Sequence, residues 1–223
     1  VNKMKISYDI LIKDEIDYIK PLLERLNAYK DDEDEIVILQ DIGPLPTDKQ
    51  KEVSQYLLDE LFNSRLSYYS STTFKDDFSE IKNKLNSKCK GDFIFNIDAD
   101  ELPQIFLISN IKAIIEKNPT IELFRVPRIN TVVGLTQAHI DKWHWKMTQT
   151  EQYGHIVNYP DFQGRVYKNT PEIKWINKVH EVISGTKSHA DLPWFSQYEF
   201  AILHHKDISR QEKQNAQYDG MTK

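Results

Sequence analysis

GDFIFNIDADELP, Gly91 to Pro103, is the stretch that decides the fold. Its apolar run of Phe93, Ile94, Phe95 and Ile97 reads as a buried strand, and the run ends in three acids, Asp98, Asp100 and Glu101. Clustered carboxylates at the end of a buried strand repel one another and are costly to desolvate. A hard cation removes that conflict, because Mg²⁺ and Mn²⁺ take oxygen ligands and bridge carboxylates to substrate phosphates. The stretch therefore predicts a metal–diphosphate site at the carboxyl end of a central strand. The D-x-D pattern alone is unspecific: with 19 Asp in the chain, roughly one or two such pairs arise by chance. Asp32 and Asp34 form one of them, inside KDDEDE, which reads as a solvated charge run. Context separates the pairs, since Asp98 and Asp100 follow an apolar run and precede a strand-stopping Leu102-Pro103.

Working outward, Ile6 to Ile12 reads as a first strand, followed by a helix from Asp14 with Ile16, Ile19, Leu22, Leu23 and Leu26 at helical spacing. Glu35 to Leu39 is a second strand ending at Gln40-Asp41, and the Gly- and Pro-bearing loop IGPLPT leads to a helix over Lys49 to Phe62. Arg65 to Tyr69 reads as a third strand and Phe78 to Cys89 as a third helix. This β-α-β-α-β-α-β order predicts an α/β fold with a mostly parallel central sheet flanked by helices, whose ligands bind at the carboxyl ends of the strands. Asp14, Asp41 and Asp98 fall at those ends. Beyond Pro103 the pattern changes: a helix over Phe106 to Lys117, strands at Ile121 to Ile129 and Gly164 to Tyr167, and a final helix from Ser209 to Tyr218. The intervening Thr131 to Phe162 carries Trp143, His144, Trp145, Tyr153 and His155 and reads as a long irregular segment of functional character. The chain is expected to form one domain over 1–223, with a regular α/β half at 1–103 and an irregular half at 104–223.

A length of 223 residues, 39% hydrophobic and 28% charged, describes a globular chain with a real core and excludes a disordered one. The net charge of −5 argues against an overall basic nucleic-acid footprint, although Lys82, Lys84, Lys88 and Lys90 form a local basic stretch, as do Lys174, Lys178 and Lys187. Cys89 is the single cysteine, read as an ordinary buried thiol, so a cytoplasmic location is expected, the host cytoplasm if the protein is viral. No apolar segment is long enough for a membrane span, and the amino terminus VNKMKISYDI has no secretory character.

The motifs together resemble the family 2 glycosyltransferases of the GT-A fold, small stand-alone type, over nearly the whole chain. KDE at Lys13 to Glu15 is similar to that family's first loop, EIVILQDIG to its second strand, and DFSEIKN at Asp77 to Asn83 to its D-F-x-x-x-R-N helix start. KGDFIFNIDADE is similar to its G-D-W-I-L-x-L-D-A-D-E signature. YPDFQGRVYKN and then KVHE are similar to its Q-x-R and V-H-E elements, and LHHK with Gln211 to Tyr218 to its closing segment. Two departures stand out: IGPLPTD replaces a shorter G-S-T-D, displacing Asp48, and Lys82 replaces an Arg, keeping the charge without the bidentate fork.

The resemblance implies a metal-dependent inverting glycosyltransferase acting on a nucleotide-diphospho sugar with Mn²⁺ or Mg²⁺. Asp98 and Asp100 become candidate metal ligands, Asp100 directly and Asp98 directly, through water or toward the ribose, with His180 and His204 as further ligands or phosphate contacts. Lys13, Glu15, Asp41, Lys82 and Arg165 become donor-binding candidates: Asp41 as acceptor of a nucleobase N–H, Lys82 as a charge on the phosphates, Arg165 holding phosphate or acceptor. The candidate general bases are Glu181, Glu101 and Asp161, with Glu181 preferred. Bland readings stand beside these: a helix cap for Asp41, a dipole-favoured acid for Glu15, a solvated helix lysine for Lys82, surface pairing for Arg165. The acceptor stays open between a saccharide, a protein and a modified DNA base; the bias of 23 Lys to 6 Arg and the small size are compatible with a viral or phage enzyme. The alternatives are a nucleotide-sugar nucleotidyltransferase, disfavoured because Lys5 to Asp17 contains no Gly for a phosphate loop, and a non-catalytic nucleotide-sugar or saccharide-binding module. The oligomeric state is not legible.

Overall fold

The computed structural model describes residues 3–195, 198–209 and 212. The first half alternates strands and helices: β1 (Ile6–Ile12), α1 (Ile16–Tyr29), β2 (Glu35–Asp41), α2 (Asp48–Phe62), β3 (Tyr68–Thr72), α3 (Phe78–Asn86) and β4 (Phe93–Asp98). The second half adds β5 (Glu101–Pro103), α4 (Ile105–Lys117), β6 (Leu123–Val133), α5 (Gln137–Trp143), β7 (Met147–Thr150) and β8 (Gly154–Lys168). It closes with β9 (Lys174–Ile176), β10 (Val182–Ser184), β11 (His189–Asp191), a 3-10 turn (Tyr198–Phe200) and β12 (Ile202–Asp207). The main sheet runs β3-β2-β1-β4-β8-β6-β12-β5, with β11 against β6 and β7 against β8, while β9 and β10 pair separately.

The strands β3, β2, β1 and β4 are mutually parallel, as the alternating order predicts. Their apolar runs are buried on both faces, the usual state of parallel strands covered by helices on either side. Ile19, Leu22, Leu23 and Leu26 of α1 and Leu107, Ile108 and Ile111 of α4 cover one face, joining Tyr8, Ile10, Phe95 and Ile97 in a single core. Strand β8 then enters antiparallel between β4 and β6, and β12 returns parallel to β6. The division at 103/104 therefore runs through one continuous sheet. Gly91 starts β4 because the backbones touch there: a Cβ would lie 2.6 Å from Ser7 N and 2.8 Å from Lys5 O. No helix among the described residues is long and apolar enough to cross a membrane.

Several expectations need correction. The third strand begins at Tyr68, not Arg65, because Ser64 takes a positive φ of 58° and its N–H and that of Arg65 close the end of α2 on Leu61 and Glu60. That is a Schellman stop, and it takes Arg65 out of the strand. The segment Thr131 to Phe162 is regular rather than irregular: it holds the end of β6, α5, β7 and the first half of β8. Two register shifts between β6 and β8 and the half-buried residues of β8 had hidden the strand's period. The last predicted helix, Ser209 to Tyr218, lies almost wholly outside the described residues.

The charge run KDDEDE is only partly solvated. Asp34 is 5% exposed, accepts from Ile6 N at 2.8 Å and pairs with Lys112 Nζ at 2.8 Å. Glu35, also buried, accepts from Ser7 Oγ at 2.6 Å and pairs with Lys5 at 2.8 Å. Of the pair Asp32 and Asp34, only Asp32 fits the solvated reading. Asp34→Asn is expected to cost about 1–2 kcal/mol of stability, the scale of a charged hydrogen bond lost from a buried site, and Asp32→Asn almost nothing. Urea midpoints of the two variants check this; equal midpoints would return Asp34 to the surface.

Candidate active site

The acids of the decisive stretch sit where the fold puts ligands, at the carboxyl end of β4, and cations from three other elements meet them there. Arg165 on β8 is 3% exposed and reaches Asp98 Oδ2 and Glu101 Oε1, each at 2.5 Å, and Asn96 Oδ1 at 3.1 Å. Arg128 on β6 bonds Glu101 Oε1 at 3.1 Å and clasps Asp161 Oδ2 through Nε and Nη2 at 2.9 and 2.7 Å. Lys82, from α3, lies 3.4 Å from Asp98 Oδ1 and 2.8 Å from Glu181 Oε1, with its ammonium 4.3 Å from the centroid of the Trp175 ring.

Helix α3 is the lever that brings Glu181 in. Asp77 caps it by accepting from Glu80 N at 3.0 Å, which aims its second turn inward. Asn83 bonds Trp175 in both directions, at 2.8 Å to its carbonyl and 3.0 Å from its N–H, and Phe78 N donates to Lys178 O at 3.0 Å. The β9–β10 hairpin so gripped carries Glu181 to the Lys82 ammonium. Gly185 closes the hairpin at φ +90°, where a Cβ would meet Glu172 O at 2.0 Å.

The charges stay ionised in spite of burial. Burial opposes ionisation of Asp98, but Arg165, Lys82 and Arg128 outweigh it and hold its carboxyl far below the usual range. Burial likewise works against the Lys82 charge, and Asp98 and Glu181 outweigh it, leaving its pKa raised. Asn96 carries the network inward by donating to Asp9 Oδ1 at 2.9 Å; burial pushes the Asp9 carboxyl up to about 7.

Asp100 and His204 form a second pair. They stand on β12 and the β4–β5 turn, brought together by the antiparallel pairing that sets His204 opposite Glu101. His204 Nε2 lies 3.6 Å from Asp100 Oδ2. Burial lowers the pKa of His204, against the pull of Asp100, and so favours the neutral imidazole. A neutral imidazole and a carboxylate are a ligand pair for a divalent transition metal or Mn²⁺. At 3.6 Å the two side chains stand close enough that both could hold one divalent cation.

Other expectations change. Lys82 is no solvated lysine: it is 3% exposed and its ammonium pairs with Asp98 and Glu181. Arg165 is likewise no surface pair: it is buried among Asn96, Asp98 and Glu101. The Glu101 side chain has no exposed surface and bonds two arginines and Asp98 N, which leaves an incoming hydroxyl no way to reach it as a base. Glu15 folds back onto the N–H groups of Lys13 and Asp14, at 2.8 and 3.0 Å, and shapes its own loop. Asp41 is half-buried, accepts from Phe74 N at 2.8 Å and lies 3.8 Å from Lys13 Nζ. His180 is exposed at φ +53°, and among the described residues no group of three or more His, Cys, Asp or Glu converges on one point. Neither Asp98 nor His180 is therefore gathered with Asp100 and His204.

Residues that sequence reasoning missed are Asn96, Arg128, Asn130 and Trp175. Arg128 and Asn130 stand two apart on β6, so both face the site, and their alternation in PRIN was the available signal.

A mixed α/β sheet thus gathers carboxylates, their buried cations and a histidine at the carboxyl end of β4, the edge at which such sheets bind ligands. The chain belongs to glycosyl transferase family 2, whose family model matches residues 10–171. The S. aureus TarS crystal structure of residues 1–349 is similar in fold, with a TM-score of 0.57 at 14% identity over 91% of this chain and 60% of that one. The same S. aureus protein in complex with UDP-GlcNAc gives a TM-score of 0.57 at 15% identity, covering 91% of this chain and 59% of that one. This chain thus spans about 60% of the length of those structures. No curated protein matches it.

Proposed function

We propose that this protein is an inverting, metal-assisted glycosyltransferase that takes a sugar from a nucleoside-diphospho-sugar donor. The observation that carries the reading is the Asp100–His204 pair, 3.6 Å apart beside a carboxylate cluster whose other charges are already compensated. Asp100 and His204 would hold the divalent cation, which when bound neutralises the departing diphosphate.

The chain's own residues do the rest. Asp41, at the end of β2, receives a nucleobase N–H. Asp98, locked as a carboxylate by Arg165 and Lys82 and still 35% exposed, faces the donor's polar groups. Glu181, on its hairpin and 18% exposed, takes the proton of the acceptor nucleophile as it attacks the anomeric carbon from the side opposite the leaving group. Asp161 is a weaker candidate for that role, because Arg128, Asn130 and Gln163 already fill its oxygens and Arg128 keeps its pKa low against the effect of burial.

The acceptor side is the lobe between β6 and β7. Val133, at the end of β6, pairs with Asp207, three residues beyond His204, so the lobe springs from the catalytic edge. None of α5 is buried; His139 stacks on Trp143 at 5.4 Å, and Trp143 meets Trp145 at 4.8 Å. Indole faces of this kind pack against sugar rings, and with a net charge of −5 the reading favours a saccharide over DNA. The lone Cys89 fits work in a reducing compartment such as the cytoplasm.

The test is a panel of UDP-, GDP- and TDP-sugars, UDP-GlcNAc first, assayed for nucleoside diphosphate release with Mn²⁺, with Mg²⁺ and in excess chelator. Release from one or a few donors, abolished by chelator and stimulated by saccharide acceptors, is expected. Undiminished turnover in chelator removes the metal from the reading, and neither binding nor turnover of any donor removes transfer itself. Steep inhibition of acceptor binding by salt would move the acceptor toward nucleic acid.

A further inference from the structure

Asn130 stands opposite His204 in the β6–β12 ladder, and its amide spans two neighbours. Its Nδ2 donates to Asp161 Oδ2 at 2.8 Å and faces Val157 O at 3.5 Å, while its Oδ1 lies 2.8 Å from His204 Nδ1. A carboxylate and a peptide carbonyl only accept, so the amide cannot turn round without setting its own oxygen against both. Asp161 cannot drift away either: Arg128 holds its Oδ2 through two bonds and Gln163 Nε2 donates to its Oδ1 at 2.8 Å. The acceptor end of Asn130 therefore always points at His204, and His204 Nδ1 must carry the hydrogen. In a neutral imidazole the other nitrogen then bears the lone pair. That nitrogen, Nε2, is the one facing Asp100.

We propose that Asn130 is a positioning residue for the metal site: oriented by Asp161 and Arg128, it locks His204 in the Nδ1–H tautomer and keeps Nε2 as an electron-pair donor beside Asp100. The opposite tautomer would donate Nε2–H to Asp100 and close the pair on itself, with no lone pair left for a cation. The inference rests on the reading that Asp100 and His204 hold a divalent cation.

Long-range ¹H–¹⁵N correlation spectra of metal-free wild-type protein read the tautomer directly. A protonated Nδ1 and an unprotonated Nε2 on His204 are expected; the reverse overturns the proposal whether or not any variant folds. Mn²⁺ affinity, followed by the electron paramagnetic resonance of the free ion, supplies the second readout. N130L, which keeps the volume and removes the acceptor, should shift His204 toward Nε2–H and weaken Mn²⁺ about 10–100-fold, the usual effect of losing such a partner. N130L with the wild-type tautomer and affinity overturns the proposal. H204A separates the underlying reading: undiminished Mn²⁺ binding there shows that the cation sits elsewhere and overturns the metal role of Asn130, while the tautomer spectrum still decides the hydrogen-bond lock by itself.

Discussion

Asp100→Ala lowers sugar transfer by about three orders of magnitude and leaves the protein folded. A metal that stabilises a leaving diphosphate supplies several kcal/mol, and each 1.4 kcal/mol is a factor of about ten in rate. The fold survives because Asp100 lies in the turn between β4 and β5, outside both strands, and because Asp98 and Glu101 keep their cations. Nucleoside diphosphate release at saturating donor and Mn²⁺, set beside a thermal melt, measures both halves of the expectation. Turnover near the wild-type level would take Asp100 out of the chemistry; a collapsed melt would make it structural.

Glu181→Gln slows transfer by two to four orders of magnitude, about the range of a lost general base, while donor affinity changes little. The substitution is conservative where it touches the rest of the site: the Gln oxygen can still accept from the Lys82 ammonium, now 2.8 Å from Glu181 Oε1. Lys82 also keeps Asp98 and the Trp175 face, so the floor of the donor site holds. Calorimetric titration of the donor and single-turnover transfer separate the two effects. Full-speed transfer by the variant would send the search for the base to Asp161, since Glu101 is out of reach of any acceptor.

The fold was legible because parallel strands announce themselves. Each of β1, β2 and β4 is a short, largely apolar run, β2 and β4 ending at Asp41 and Asp98, and each helix between them has a clear apolar face. The Asp100–His204 pair was half legible: Asp100 stands in a signature, and His204 follows it only through the resemblance of LHHK, 104 residues further on. What one dimension could not give was partnership. Lys82 looks like any lysine on an amphipathic helix, and nothing local says that Asp98, Glu181 and Trp175 surround it. Asp34 misled for the same reason, since the backbone N–H of Ile6 and the ammonium of Lys112 that bury it come from distant strands and helices. The helix stop at Ser64 and the capping box of Thr47 and Gln50 are readable in principle, as a positive-φ position and a T-x-x-Q start. They set boundaries only.

Arg165 meets Asn96, Asp98 and Glu101 across 69, 67 and 64 residues of chain. The same guanidinium that compensates the site therefore ties the order of folding. A chain that had assembled only its first 103 residues would bury Glu101 with no counterion and leave Asp98 with Lys82 alone, and leaving one partner of a buried pair alone costs about 3–5 kcal/mol. The early strands cannot settle into their final geometry until β8 has threaded between β4 and β6, a pairing of high contact order and correspondingly slow. The stretches on either side of residue 103 are thus not detachable modules. They are expected to melt in one cooperative transition, because the carboxyl end of β4 reaches its final geometry only once β8 is in place.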